Sequence, residues 1–468
     1  MAREKRKKRR RDDDDDEYDE RQPPANDDDD SDDEEAPDER DGAEGSDDSD
    51  EEDERFFVAC AEGDLAEVEA IHTAGAANPK AVEPEEGDTP LGVACRFGHL
   101  EVAKWLVAHG ADLEAANNGG ETALHDACLN GAIPTIEYLC SQPGGASARL
   151  LEKRTGQGIT PLALAALGGH TEAVRLLISK GADIGAVDAD GHTLMHMACS
   201  NGHAATAAAL RELGVPATAA DVMGRTPMHI ACGEGQLELA KWLKAEAAAP
   251  IDTPDAGGAL PLHFACAAGD EPTARWLLEV GASASAANGE GNTPLHYACQ
   301  AGALDMAEVL LRAGADRSVS NADGDTPFLL SCLGGHLPLC KMLQAKGESI
   351  SQLNELGCSG LLQACAAGHV EVAKWLLPLA PALLERGDFE GDGPLVHCCA
   401  HGHSELAEWL LEQGAVPTPA AAKAAKSHQA TNKLLKAAVK KREAAGGAGG
   451  SGASGGGGGG SSGGKARA

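Results

Sequence analysis

Apolar residues fall along this chain in short blocks that recur. In His99–Asp112 (HLEVAKWLVAHGAD) they sit at i, i+3, i+4 and i+7, the spacing of one buried helix face. A shorter block comes before it, opened by Thr-Pro and closed by Gly, with room for a helix of about two turns. The fullest copy of the shorter block is Gly291–Gly302, GNTPLHYACQAG. Aligned on the Thr position, ten copies open at Thr89, Thr122, Thr160, Thr193, Thr226, Leu260, Thr293, Thr326, Ser359 and Gly393. The intervals between them are 33, 38, 33, 33, 34, 33, 33, 33 and 34 residues. A fixed period of this length predicts a solenoid.

Each slot has a local reason. Thr suits a helix N-cap, where its hydroxyl accepts an orphan N–H one turn in. Pro follows at the first helical position, where a missing N–H costs nothing. All ten copies carry Gly two residues before the Thr slot and again nine residues after it, suiting a turn with positive φ and a left-handed C-cap. Another Gly stop follows the longer block, as at Gly110, Gly281 and Gly314. The predicted unit is turn, short helix, turn, longer helix, finger.

This unit resembles the ankyrin repeat. The motif T-P-L-H-x-A-C/A-x-x-G-H-x-E-x-A-x-x-L-L-x-x-G-A-D stands nearly complete at Thr89 and Thr293. The resemblance covers residues 55–416 once the degraded copy Phe57–Gly75, which lacks T-P-L-H, is counted as an N-terminal cap. It implies an all-α ankyrin-repeat solenoid: stacked antiparallel helix pairs, β-turn fingers at about right angles, and a concave face. A two-turn helix is not stable alone in water, so each unit depends on its neighbours to bury its apolar side.

The expected organisation has four parts. Residues 1–55 form a disordered tail. Residues 56–416 form the array, with a cap over 56–80 and ten repeats over 81–416. Residues 417–445 form basic, Ala/Lys-rich capping helices, and 446–468 a Gly/Ser coil. The 38-residue interval places about five extra residues in Ser141–Gly158, read as a long finger on the binding edge or as a tolerated surface insertion. The Ala-rich helix in His203–Gly214 is a candidate soft point.

Charge is distributed unevenly. Residues 1–11 hold eight Lys or Arg and one Glu, a pattern of nuclear import signals and polyanion-binding patches. Residues 12–55 hold 27 Asp or Glu and three Arg, too much repulsion for collapse. Ser31, Ser46 and Ser49 lie in acidic contexts that resemble acidophilic-kinase sites. Residues 417–468 carry nine Lys or Arg and one Glu. No apolar run approaches the ~18 residues of a membrane span, and MAREKRKKRRR does not lead into a signal-peptide core. The 14 cysteines are then expected to be reduced thiols of an intracellular protein, cytoplasmic or nuclear.

Repeat register absorbs most residues that invite a chemical reading. Eight cysteines, Cys95 to Cys365, share the slot six after Thr, and Cys399 makes a ninth. His125, His196, His229, His263 and His296 fill the T-P-L-H slot, where the resemblance implies an imidazole that ties neighbouring units. Trp105, Trp242, Trp276, Trp375 and Trp409 share a slot in the longer helix and are expected to pack between repeats. His397 and His401 are four apart on a short helix, a spacing that zinc can use, yet no carboxylate or Cys is placed by spacing to complete a shell. Phosphate-binding, nucleophile-elbow, H-E-x-x-H and C-x-x-C motifs are all lacking. No catalysis, cofactor or metal is expected.

Recognition is therefore expected at outward slots that differ between copies: the fingertips, and positions four, seven and eight after Thr. The candidates are Arg96, Phe97, Asp126, Asn130, Met197, Asn201, Glu234, Phe264, Tyr297, Gln300, His397 and His401, with fingertip residues such as Glu85, Asp190, Asp255, Asp323 and Asp388. Residues 56–416 hold 19 basic against 45 acidic side chains, a surface that repels nucleic-acid phosphates and favours a protein partner with a basic patch. The expected molecule is a monomeric, membrane-free interaction scaffold. The alternative is an acidic nuclear factor that binds histones or other basic proteins through its N-terminal tail.

Overall fold

The computed structural model describes residues 47–75, 78–143 and 146–447. The basic run 1–11, the acidic stretch to residue 46 with Ser31 and Ser46, and the glycine-rich coil beyond 447 lie outside these residues. Among the described residues every regular element is helical, and the only extended pairing is an isolated bridge in each of two fingers, Ala116 with Thr122 and Leu353 with Ser359. Short helices such as Pro90–Arg96, Pro261–Ala267 and Pro294–Gln300 alternate with longer ones such as Leu100–Ala108, Glu271–Glu279 and Leu304–Arg312. Each short helix packs on its own longer helix and on the short helices of both neighbouring repeats. The core runs the length of the array: Leu91, Ala94 and Cys95 from one short helix and Val102, Ala103 and Leu106 from its partner are all buried.

The N-caps come in two forms, decided by the residue three after Thr. Where that residue is not His and the slot holds Thr or Ser, the hydroxyl caps directly: Thr89 Oγ1 accepts from Gly92 N–H at 3.0 Å and Ser359 Oγ from Leu362 N–H at 3.3 Å, whereas Gly393 has no side chain to cap with. Where it is His, the ring takes over. Thr293 N–H donates to His296 Nδ1 at 3.0 Å, so the proton lies on Nε2, which donates to Asp325 C=O of the next finger at 3.1 Å. His125, His196, His229 and His263 repeat the arrangement toward Ile159, Arg225, Ala259 and Ala286. Burial holds all five imidazoles below their ordinary value of 6.5, because protonation would place a cation inside the stack.

A second histidine slot makes a second tie. His170, His336 and His403 donate from Nε2 to the carbonyls of Leu129, Gln300 and Ala366, each in the preceding repeat. The glycine nine after Thr makes room for that ring: a Cβ on Gly335 would lie 2.3 Å from His369 Nδ1. The five tryptophans are half-buried and pack against the core, as their common slot predicts. All 14 cysteines are free and 13 are buried; burial pushes the thiols of Cys199 and Cys266 up to about 12.

Two segments differ from the sequence reading. The helix Asp47–Glu62 begins inside the stretch expected to lack structure. Its opening run of Asp and Glu has the sign that a helix N-terminus favours. The insertion after Ser141 is not a long finger. It forms a short helix, Ala146–Leu151, anchored by buried Leu150 and Leu151 and by an Arg149–Glu114 ion pair. Two adjacent leucines gave it apolar area to bury, which a free loop would have exposed.

Candidate protein-binding face

Seven of the ten fingers are built in the same way by one side chain each. Five residues before the Thr slot, a carboxylate or amide oxygen accepts from the N–H groups two and four residues ahead. Asn288 does so from Glu290 and Asn292 at 3.0 and 2.8 Å, and Asp388 from Glu390 and Asp392 at 3.0 and 2.9 Å. Asn117, Asp188, Asp221, Asn321 and Asn354 make the same pair of bonds. Main-chain bonds then join finger to finger: Ala322 N–H donates to Glu290 C=O at 2.7 Å, Glu355 to Asp323 at 2.9 Å, and Phe389 to Leu356 at 3.0 Å. The glycine two before Thr allows that approach. Gly324 has φ +76°, and a Cβ on it would lie 2.5 Å from Glu355 N.

The candidate short-helix residues are graded by slot. Position eight after Thr is open, and Phe97, Asn130, Asn201, Glu234 and His401 are exposed there; Gln300, at position seven, is exposed too. Position four is drawn between neighbouring short helices. Asp126 and Met197 are buried, leaving 5% and 7% of each exposed, so neither offers a partner a usable surface. Phe264 and Tyr297 are half-buried, set edge-on against His229 and His263 of the preceding repeats. Tyr297 also accepts a bond from Asn288 Nδ2 at 3.1 Å.

Arg96 is committed to structure. It bridges Asp88 at 2.7 Å and Asp126 at 2.9 Å, tying one finger to the next short helix. Burial opposes the Arg96 charge, but hydrogen bonds to the two carboxylates outweigh it and hold the guanidinium charged. On Asp126 burial is the larger effect, pushing its carboxyl up to about 6 against the pull of Arg96. Asn201 Nδ2 donates to Leu167 C=O at 2.9 Å, a further bridge between repeats. His397 Nε2 lies 3.1 Å from Asp388 Oδ2, a carboxylate that sequence spacing did not bring to it but its own finger does. Burial and then the neighbouring His403, His397 and His428 hold the His401 ring below its ordinary value.

A third cluster was not foreseen. Asp188, Asp190 and His192 place ligand-type atoms within 4.8 Å of one another. Both His192 nitrogens are already engaged: Nδ1 by Asp188 at 2.9 Å, and Nε2 by Arg225 at 3.0 Å, beside Asp221. A metal ion on Nδ1 would leave an Nε2–H facing the Arg225 guanidinium, so the group reads as a network between two fingers.

Sequence reasoning also missed the apolar fingertips. Val222 and Met223 are 68% and 57% exposed, and Leu356 and Phe389, on adjoining fingers, 54% and 76%. Acidic tip residues drew attention away from them, although apolar residues between a finger Asx and the following Gly were a usable signal. Asp255 and Asp388 lie below the tips that the sequence suggests for them, in the finger-building slot.

Helix pairs stacked in register, with fingers joined along one edge, define a repeat scaffold whose variable surface lies at its tips and open slots. A family description of ankyrin repeats, three copies in length, matches residues 56–150, 144–221, 162–255, 209–288, 247–321, 310–384 and 328–421, and the chain belongs to that family. Protein–protein interaction is what such repeats imply. Among relatives, a Mus musculus protein fem-1 homolog A-like is 36% identical over 99 residues, 21% of this chain and 14% of that protein. A putative ankyrin repeat protein of Rickettsia felis is 32% identical over 132 residues, 28% of this chain and 42% of its own length. The probable 26S proteasome regulatory subunit p28 of Saccharomyces cerevisiae is 30% identical over 137 residues, 29% of this chain and 58% of that protein. The matched region thus spans less than two thirds of each of these relatives. Among the described residues, no helix is long and apolar enough to cross a membrane.

Proposed function

We propose that the array is a non-catalytic scaffold or adaptor that holds a protein partner with a basic surface. The observation that carries this reading is the contrast between slots. Residues common to the repeats are buried or bonded, whereas Phe97, Met223, Leu356 and Phe389 are copy-specific, apolar and exposed among acidic side chains. Such side chains suit the anchors of an interface, and the acidic surround suits electrostatic steering of a basic partner. Phe264, Tyr297, Asn130, Glu234, Gln300 and His401 complete the face.

The test compares quantitative affinity purification of the tagged full chain with a variant carrying Phe97→Ala, Tyr297→Ala, Leu356→Ala and Phe389→Ala. A discrete set of partners should fall by about tenfold or more, equivalent to ~1.4 kcal/mol, while the circular dichroism melt stays in place. An unchanged partner set with intact folding refutes the reading. Retention of every partner on the variant, with loss of histones alone when residues 1–46 are removed, favours the acidic-tail alternative instead.

A further inference from the structure

The C-terminal helix Gln429–Gly447 is docked at the end of the stack by buried Thr431 and Leu435, and His428 just before it donates from Nε2 to Ala400 C=O at 2.9 Å. The outer side of this end is basic. Lys423, Lys426, Lys433, Lys436, Lys440, Lys441 and Arg442 are all exposed. None of the seven forms an ion pair among the described residues. Elsewhere exposed cations such as Arg149, Arg175 and Arg312 pair with Glu114, Glu212 and Glu308, and those left unpaired, such as Lys80, Lys180 and Arg211, are scattered singly along the array. Lys433, Lys436 and Lys440 follow at spacings of three and four, so like charges stack on one helix face at a cost that only a counter-charge relieves.

The basic strip is narrow. The adjoining helix Ser404–Glu412 presents Glu405, Glu408 and Glu412, and the array behind it is acidic. Those acids share a groove with Lys433, Lys441 and Arg442, whereas the groove beside Lys426, Lys436 and Lys440 is lined by no acid. A nucleic-acid duplex or a membrane plane would meet the acids as well, whereas a single extended acidic peptide along Lys426, Lys436 and Lys440 would not. The chain carries such a peptide: residues 27–35, DDDDSDDEE, hold eight carboxylates in nine positions. Ten neighbour-to-neighbour steps, each roughly 8–10 Å, lie between the short helix at Thr89 and the C-terminal one at Thr418. The dozen residues from Glu35 to the helix at Asp47 span at most about 40 Å. A tether of that length favours a peptide from a second molecule over the chain's own.

We propose that the basic face of helix Gln429–Gly447 is a docking site for the acidic segment 27–35 of a second copy of the chain. The contact is head-to-tail and leaves the fingers free, so it adds to the partner-binding reading without resting on it. A heterologous contact of this kind extends into open chains unless it closes on itself.

The experiment mixes equal amounts of ordinary and ¹⁵N-labelled full-length chain and couples carboxylates to amines with a carbodiimide. The activated carboxylate is attacked by a lysine amine, an amide forms, and the urea leaves. Light-to-heavy links should join residues 27–35 to Lys433, Lys436, Lys440 or Lys441 at ~0.01 M salt, where screening reaches ~30 Å, and vanish at ~1 M, where it reaches ~3 Å. Sedimentation should show salt-sensitive oligomers in parallel. Lys433→Glu, Lys436→Glu, Lys440→Glu and Lys441→Glu together should abolish both signals while the array melts normally. The inference is overturned if links form only within one isotope. Oligomers that survive charge reversal overturn it too, as does binding of added nucleic acid or anionic vesicles by the strip without any self-association.

Discussion

The two histidine ties differ in what they leave behind, and that difference can be measured. His296→Ala removes a ring that is 1% exposed and accepts from Thr293 N–H while donating to Asp325 C=O. Thr293 is 1% exposed, so its N–H stays buried without a partner, whereas Asp325 C=O keeps the N–H of Asn321 at 3.0 Å. At about 1–3 kcal/mol for the orphaned N–H and ~0.5–1.5 kcal/mol for the second bond, the loss is roughly 1.5–4.5 kcal/mol before any cavity is counted. His336→Ala removes one bond, to the carbonyl of exposed Gln300. Water can replace that bond, and a loss of ~0.5–1.5 kcal/mol is expected. Equilibrium urea unfolding at about pH 7.5, followed by circular dichroism, gives the two totals. Stability in a repeat array is a sum of unit and interface terms, so amide exchange over residues 291–325 should locate the His296→Ala defect at that junction. Equal losses for the two variants, or a His296→Ala loss under ~1 kcal/mol, would mean that the junction is not held in this way.

Three further outcomes follow from the same geometry. Five buried imidazoles held below 6.5 bind fewer protons folded than unfolded, so their contribution is complete above about pH 6.5 and is lost as pH falls below it. Asp126, raised to about 6, works in the opposite sense but is one group against five. The urea midpoint should therefore drop between about pH 7.5 and 5.5, and a flat or rising midpoint contradicts the assignment. Gly324→Ala must place a side chain at φ +76° and push Glu355 N from 2.5 Å, whereas Gly281→Ala meets nothing within 4 Å. The first should cost about 2–4 kcal/mol and unprotect the Glu355 amide, the second about 1–2 kcal/mol, by urea melts and amide exchange. Ala248, at φ 53°, is the one non-glycine residue with positive φ among the described residues. Ala248→Gly should raise stability by about 0.5 kcal/mol, and a loss of that size in the melt would count against strain there.

Repeat period, caps and core were legible because each rests on a short-range rule: Thr-Pro opens a helix, Gly ends it, and apolar spacing marks the buried face. The fate of position four was not. Asp126 and Met197 look outward on a single helix, and only the approach of the next helix buries them. Whether Arg96 is a free charge depends on Asp126, thirty residues away, as His397 depends on how its finger carries Asp388. Phe389 and Leu356 were hidden for a different reason: an exposed apolar side chain follows no pattern, and only accessibility reveals it. The Asx slot five before Thr was visible as a recurring Asn or Asp but acquires meaning only when its bonds are seen.

The bonds that recur from fingertip to fingertip are made by main-chain atoms, with side-chain bridges added at single junctions. A tip residue can be exchanged for another without touching the bonds that position it, provided that the glycine behind it stays. Stability and choice of partner are thereby written in separate alphabets on the same loop. The molecule can be retargeted one fingertip at a time, and each revision leaves its neighbours where they were.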